Sequence, residues 1–211
     1  MDPPWNNTGY KLGGYGKLKN NSWMDQIDFD LLQDKGYVFM WVSNQMDVPA
    51  IKYMEERGYF KVETINWTKI ESSGRYYKRS GGTYLHHCNE QCLVFRKIRN
   101  RKGELISDYT NFWTSSHQIT TIPDARPSTK PFQLYEIIER MSNTTHGGLL
   151  EIFSRPHNQR WGWVSIGNES ISFLPPIDIR VYPKANKEKK TKMIKKTNKT
   201  KRIVKTPKLK Q

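Results

Sequence analysis

The chain has 211 residues, 36% of them hydrophobic and 26% charged, with a formal net charge of +15. That length suits one domain with a real core, and the longest apolar run, YVFMWV, is far too short for a helical membrane span. Two cysteines, Cys88 and Cys92, and no signal-peptide pattern fit a reducing compartment rather than a disulfide-stapled scaffold.

In chain order, MDPPW makes a stiff polar-aromatic corner, and residues 6–22 have the Gly-, Asn- and Lys-rich composition of a mobile loop. GYVFMWVSN (36–44) is a continuous apolar run of strand length, the pattern of a strand buried on both faces. In VPAIKYMEERGY the apolar positions Val48, Ile51, Tyr53 and Met54 predict a short helix, which Gly58 stops. YFKVETINWTKI (59–70) and QCLVFRK (91–97) are strands, separated by a basic, Gly-rich stretch without period, and IRNRKGE is a basic turn. Residues 105–121 carry no clear pattern. PDARPSTKPFQLYEIIERM is a loop and then a helix, with Ser128 or Thr129 as cap and Pro131 in the first turn. GGLLEIFSR (147–155) is a short buried strand, and PHNQRWGWVSIGNE is a loop leading to a last strand. From Lys184 to Gln211 there are twelve Lys, one Arg and one Glu, which accounts for +12 of the net charge. A tract with so little to bury repels itself, so 181–211 is expected to be disordered: a nucleic-acid tether, a nuclear address or a solubilising tail.

Strands alternating with helices, some of the strands doubly buried, predict an α/β sheet over 1–180. In open α/β sheets ligands bind at the carboxyl ends of the strands. Asp2-Pro3-Pro4-Trp5 and SRPHN both fall where such ends belong.

The first corner suggests a specific chemistry. The N6 amine of adenine is a poor nucleophile because its lone pair is delocalised into the ring. A site that methylates it must hold the amine and draw its hydrogens toward acceptors. The Asp2 carboxylate accepts one hydrogen and a backbone carbonyl a second. Proline offers a carbonyl without an N–H. The aromatic Trp5 adds a stacking face for a base that has left any duplex. A plain turn is the alternative.

Six blocks in order, DPPW, GYVFMWVSN, INWTK, HHCNEQCLV, RPSTKPFQLYEIIERM and LLEIFSRPHNQRWGWVSIGNE, resemble the MT-A70 family of S-adenosylmethionine-dependent adenine-N6 methyltransferases over roughly residues 2–175. The resemblance implies a Rossmann-like class I methyltransferase sheet with permuted motif order, in which DPPW follows a central strand. That strand is absent ahead of Asp2, so the expectation is a truncated chain whose central strand is missing. It further implies catalytic Asp2, Pro3, Pro4 and Trp5. Lys130, Glu151, Arg155, His157, Asn158, Asn168 and Glu169 would hold the donor, with Glu151 on its ribose diol. Tyr15, in the loop after DPPW, and His87 and Glu90 would face substrate. Implied partners are nucleic acid, RNA or (as in ciliate relatives) DNA, and a non-catalytic paralogue in a heterodimer, with a nuclear location and no membrane. A catalytically inactive scaffolding paralogue is the alternative.

HHCNEQC is set aside as a metal site, since adjacent His86, His87 and Cys88 cannot readily face one ion and no second ligand pair follows at finger spacing. Residues 69–102 hold nine basic side chains, Arg75, Lys78 and Arg79 among them, interleaved with Tyr76, Tyr77 and Tyr84. They form a candidate nucleic-acid path or, alternatively, a solvated or heterodimer face. Trp161 and Trp163 flank a glycine and are expected to be packing residues.

Overall fold

The computed structural model describes residues 1–5, 19–78, 84–100, 102–106, 116–126, 128–142, 148–167 and 170, all within the compact unit Met1–Phe173. Tyr15, Arg79, Asn168, Glu169 and the lysine-rich tail lie outside the described residues.

Strand β1 (Tyr37–Val42) forms from the apolar run and is buried from Val38 onward. β2 (Tyr59–Lys69) and β3 (Asn89–Lys97) complete its neighbourhood, and β4 (Gln118–Thr121) lies in the segment without a clear sequence pattern. The four make one sheet in the order β1-β3-β2-β4. β3 runs antiparallel to both β1 and β2, and β4 runs parallel to β2. Three strands therefore point one way, and the start of β3 lies at their carboxyl ends. β5 (Leu150–Ile152) and β6 (Val164–Ile166) pair in parallel as a second, two-stranded sheet. The fold is mixed α/β.

The pleat of β1 sends alternate side chains to opposite faces. Val38, Met40 and Val42 join Leu93 and Phe95 and pack against Ala50, Tyr53 and Met54 of helix α2 (Asp47–Glu55). Phe39 and Trp41 join Ile65, Trp67, Cys92 and Val94 on the other face, against Leu134 and Ile137 of helix α3 (Phe132–Ser142). A sheet covered on both faces needs such a doubly apolar strand. Gly58 ends the α2 segment at a φ of 78°, where a Cβ would sit 3.3 Å from the Arg99 carbonyl.

The structure departs from the sequence expectation at four places. The presumed loop gives way at Lys19 to a 3₁₀ helix, Lys19–Gln26, because Trp23 is only 1% exposed and plugs the first core. A one-turn helix α1, Phe29–Leu32, follows, capped by the Asp28 carboxylate, which accepts from the backbone N–H groups of Asp30 and Leu31 at 3.0 and 3.1 Å. α3 starts just after Pro131, and Thr129 donates its hydroxyl to the Arg126 carbonyl instead of capping the helix. Trp161 is 93% exposed.

Among the described residues, Met1 pairs with the outer edge of β1 as a parallel strand residue would. Its terminal ammonium donates to the Phe39 carbonyl at 2.7 Å, and its carbonyl accepts from the Trp41 N–H at 3.0 Å. The chain thereby leaves the β1 edge toward the carboxyl ends, with Asp2 as the next residue. Among the described residues no helix is long and apolar enough to cross a membrane.

Phe95, fully buried, and Phe60, 53% exposed, test this layering. Phe95→Ala is expected to cost about 3–5 kcal/mol by urea denaturation, whereas Phe60→Ala stays within about 1 kcal/mol. Equal losses would contradict the assignment of faces.

Candidate active site

The first corner is built by proline. The Trp5 N–H donates to the Pro3 carbonyl at 2.8 Å, closing a three-residue turn centred on Pro4. The pyrrolidine ring holds φ in the range an inverse γ-turn requires. Pro3 is buried. The Trp5 indole donates to the Trp41 carbonyl at 2.7 Å, and its ring meets Trp23 edge-on at 5.1 Å. Trp5 thus anchors the corner to the β1 end and the first core. These two contacts fix where the Trp5 ring sits beside Asp2.

Asp2 is held outward by that corner, with Lys130 Nζ 3.4 Å from its Oδ2. The same ammonium donates to Glu90 Oε2 at 2.6 Å and lies 4.7 Å from the Trp41 ring centroid. Glu90 accepts on its other oxygen from Lys69, at the end of β2. Two carboxylates and two ammoniums therefore alternate across the carboxyl edge of the sheet. Burial by itself would raise the Glu90 carboxyl, but the ammoniums of Lys130 and Lys69 outweigh it and hold the group below its ordinary value. Burial alone would lower Lys130. Asp2 and Glu90 outweigh it and hold the ammonium above its ordinary value.

A second polar knot lies at the end of β5. Glu151 is 8% exposed and accepts from the Tyr135 hydroxyl at 2.9 Å, from Ser154 Oγ at 3.1 Å and from Asn158 Nδ2 at 3.4 Å. Burial raises its carboxyl above the ordinary value despite these donors. It also raises the Tyr135 phenol, reinforced by the Glu151 charge. A carboxylate has about four lone-pair directions. Three are engaged, so Glu151 first of all fastens the corner that carries Arg155, His157 and Asn158, a 3₁₀ turn over Pro156–Asn158. The close approach of Gly167 to this corner has a reason too: a Cβ there would collide with the Ser154 carbonyl.

Lys130, His157 and Asn158 line one cavity of about 670 Å³, together with Asp124, Arg126, Phe132, Tyr135, Arg160 and Trp161. The structure thus brings the DPPW corner, Lys130 and Glu90 into one charged cluster, and Lys130, His157 and Asn158 into one cavity. Arg75 and Lys78 are exposed on the turn just beyond β2, at the same end of the sheet, and His87 is exposed ahead of β3.

The described basic residues of the 69–102 stretch do not all lie on one face. Lys97 ends β3, paired with Tyr59 at the start of β2 and next to Arg96, which pairs with Tyr37 at the start of β1, about 23 Å along the strand from Glu90. It is fully buried and bonded to Asp30 and the Gln33 carbonyl, both at 2.6 Å. Arg99 folds onto the Gly103 carbonyl near that far end. The basic residues close in sequence are therefore split between two ends of the sheet. Cys92 is fully buried and its thiol is pushed up to about 12 by burial, so it is an inert core residue. Trp23, Trp41, Tyr135 and Ser154 support the site without having been singled out. The only available signals were aromatic content and proximity to motifs.

A family model described as MT-A70 matches residues 1–169. The "N(6)-adenosine-methyltransferase catalytic subunit METTL3" of Homo sapiens is 31% identical over 179 residues, 83% of this chain and 28% of that protein. The "Putative N(6)-adenosine-methyltransferase MT-A70-like" of Medicago truncatula is 32% identical over 169 residues, 80% of this chain and 25% of that protein. The "N(6)-adenosine-methyltransferase subunit METTL3" of Danio rerio is 30% identical over 182 residues, 83% of this chain and 28% of that protein. The chain spans about a quarter of the length of the curated relatives it matches.

Because the folded pKa of Glu90 is depressed, its stabilisation is present above the ordinary carboxylate pKa and is lost as pH falls through the folded value. Glu90→Gln should lower the melting midpoint at neutral pH. The gap to the native chain should narrow between about pH 5 and about pH 3. A gap that stays constant over that range would show that the charge cluster contributes nothing.

Proposed function

The chain belongs to the MT-A70 family, and on that premise we propose that it transfers a methyl group from S-adenosylmethionine to the N6 amine of an adenine in nucleic acid. The observation that carries this reading is the meeting of Asp2 with Lys130 at the carboxyl ends of β1 and β2, beside a cavity that Lys130, His157 and Asn158 line. About 670 Å³ is within the usual range for a small-molecule site. The lining also suits the donor: the Lys130 ammonium matches its carboxylate, and the Asn158 amide and His157 imidazole match its nucleoside end. When bound, S-adenosylmethionine supplies an electrophilic methyl group on a sulfonium.

The chain's own contribution is positioning. Asp2 accepts one hydrogen of the target amine. A backbone carbonyl of the proline turn accepts the second; the Pro3 carbonyl, which already accepts from the Trp5 N–H, keeps one lone pair for this. Both acceptors are preset by the turn and by the Trp5 anchor, so little reorganisation remains when the base arrives. Lys130, Arg155, His157 and Asn158, with Asn168 and Glu169, are assigned to the donor. Glu151 keeps their corner in place and turns its remaining lone pair to the ribose. Glu90, His87, Tyr15, Arg75, Lys78 and Arg79 are assigned to the substrate side. The relatives' names specify adenosine, which favours RNA over DNA. A non-catalytic paralogue as partner, a nuclear location and a tethering role for the basic tail complete the proposal.

The test is methyl transfer to matched adenine-containing RNA and DNA oligonucleotides, with a family partner subunit present. Asp2→Asn, which keeps the side-chain shape, should lower kcat by about 100-fold or more while donor binding by calorimetry is kept. Absence of donor binding in the native chain, with and without the partner, would overturn the enzyme reading in favour of a scaffolding paralogue.

A further inference from the structure

Arg160-Trp161-Gly162-Trp163 is a built turn at the rim of the cavity. The Trp163 N–H donates to the Arg160 carbonyl at 3.3 Å, and Gly162 has a φ of 82°. A left-handed residue at the third position is the mark of a type II turn, which places Trp161 at the second, outward position. Both flanks are fastened. On one side the Arg160 guanidinium lies 4.4 Å from the Phe132 ring centroid and 4.3 Å from that of Tyr135. On the other, the Trp163 indole donates to Glu139 at 2.8 Å and its ring meets Tyr135 edge-on at 5.3 Å. The turn is therefore held by α3 while Trp161 is left 93% exposed, facing the same cavity as Arg126, Lys130, Arg160 and His157. Asp124 is the acid in that lining, and it is engaged by Arg126.

We infer that Trp161 is a stacking platform for an unpaired base of the nucleic-acid substrate, next to the target adenine, with Arg160 and Arg126 on the adjoining phosphates. A rigid indole presented beside guanidinium groups is the arrangement that binds single strands: the ring takes a base face and the cations take the backbone. An isolated exposed apolar side chain is common. A tryptophan on a turn braced at both ends, opening on a cation-lined cavity, has the preorganisation that stacking needs. Trp161 acts by positioning the strand and stays clear of the reacting atoms. The inference rests on the methyltransferase reading above.

The test measures affinity for a short single-stranded RNA carrying one adenine by fluorescence anisotropy, alongside donor binding by calorimetry. Trp161→Ala should weaken RNA binding by about 5- to 100-fold, and Trp161→Phe should keep most of it. Donor binding, which rests on Lys130, His157 and Asn158, should change far less than RNA binding in both. An abasic nucleotide placed in turn at each position flanking the adenine should, at one position, weaken the native chain and leave Trp161→Ala unaffected. Undiminished RNA affinity in Trp161→Ala, or no flanking position that couples to it, would overturn the inference even if the native chain binds donor and methylates RNA. A change confined to oligomeric state on sedimentation would also overturn it, by assigning Trp161 to a protein contact. A native chain that binds neither donor nor RNA would remove the underlying reading as well.

Discussion

β3 enters the sheet against the direction of its neighbours, and the charged end of the molecule follows from that one reversal. With β3 between β1 and β2, Trp41 faces Cys92 and Thr68 faces Asn89. The register leaves Glu90 no place but the carboxyl edge, between Lys69 and Lys130. A slip by one residue would turn every side chain of β3 to the opposite face and send Cys92 and Val94 out of their core. The apolar register thus positions the ionic cluster, whose two ammoniums rest over the core rings Trp41 and Trp67.

The cluster in turn constrains the corner. Lys130 is only 10% exposed at its side chain and so requires both acids it meets. Desolvating a charge is costly unless partners compensate. The pairing of Lys130 with Asp2 draws the proline turn to the sheet edge, and the Trp5 bond to the Trp41 carbonyl holds it there from the other side. Electrostatics and hydrogen bonding fix the same few atoms from two directions, which is what a preorganised acceptor needs.

Much of this was legible from residue order. A six-residue apolar run had only a doubly buried strand to become, and Gly58 after α2 had only a left-handed stop. The DPPW and RPHN corners were placed at strand ends by composition and by family likeness alone. What escaped detection was tertiary in origin. β4 is four residues of QITT with a single buried side chain, so only pairing with β2 defines it. Lys97 has the look of a surface cation until Asp30 and a backbone carbonyl are brought to it from 64 or more residues away. Trp161 and Trp163 were alike in sequence. The glycine between them was the signal, since a type II turn sends its second residue outward while the fourth turns back to the body.

Helix α3 is where these arrangements meet. Phe132 and Tyr135 hold Arg160, Glu139 holds Trp163, and the Tyr135 hydroxyl holds Glu151, which fastens Asn158. Lys130 lies two residues ahead of the helix and joins it to the Asp2–Glu90 cluster. The amphipathic side that buries Leu134 and Ile137 against the sheet therefore decides more than core packing. It sets the distance between the carboxylate corner on one flank of the cavity and the braced tryptophan turn on the other. A rigid helix of three turns can keep that distance far better than the loops it connects, so the spacing across the cavity is a property of the core.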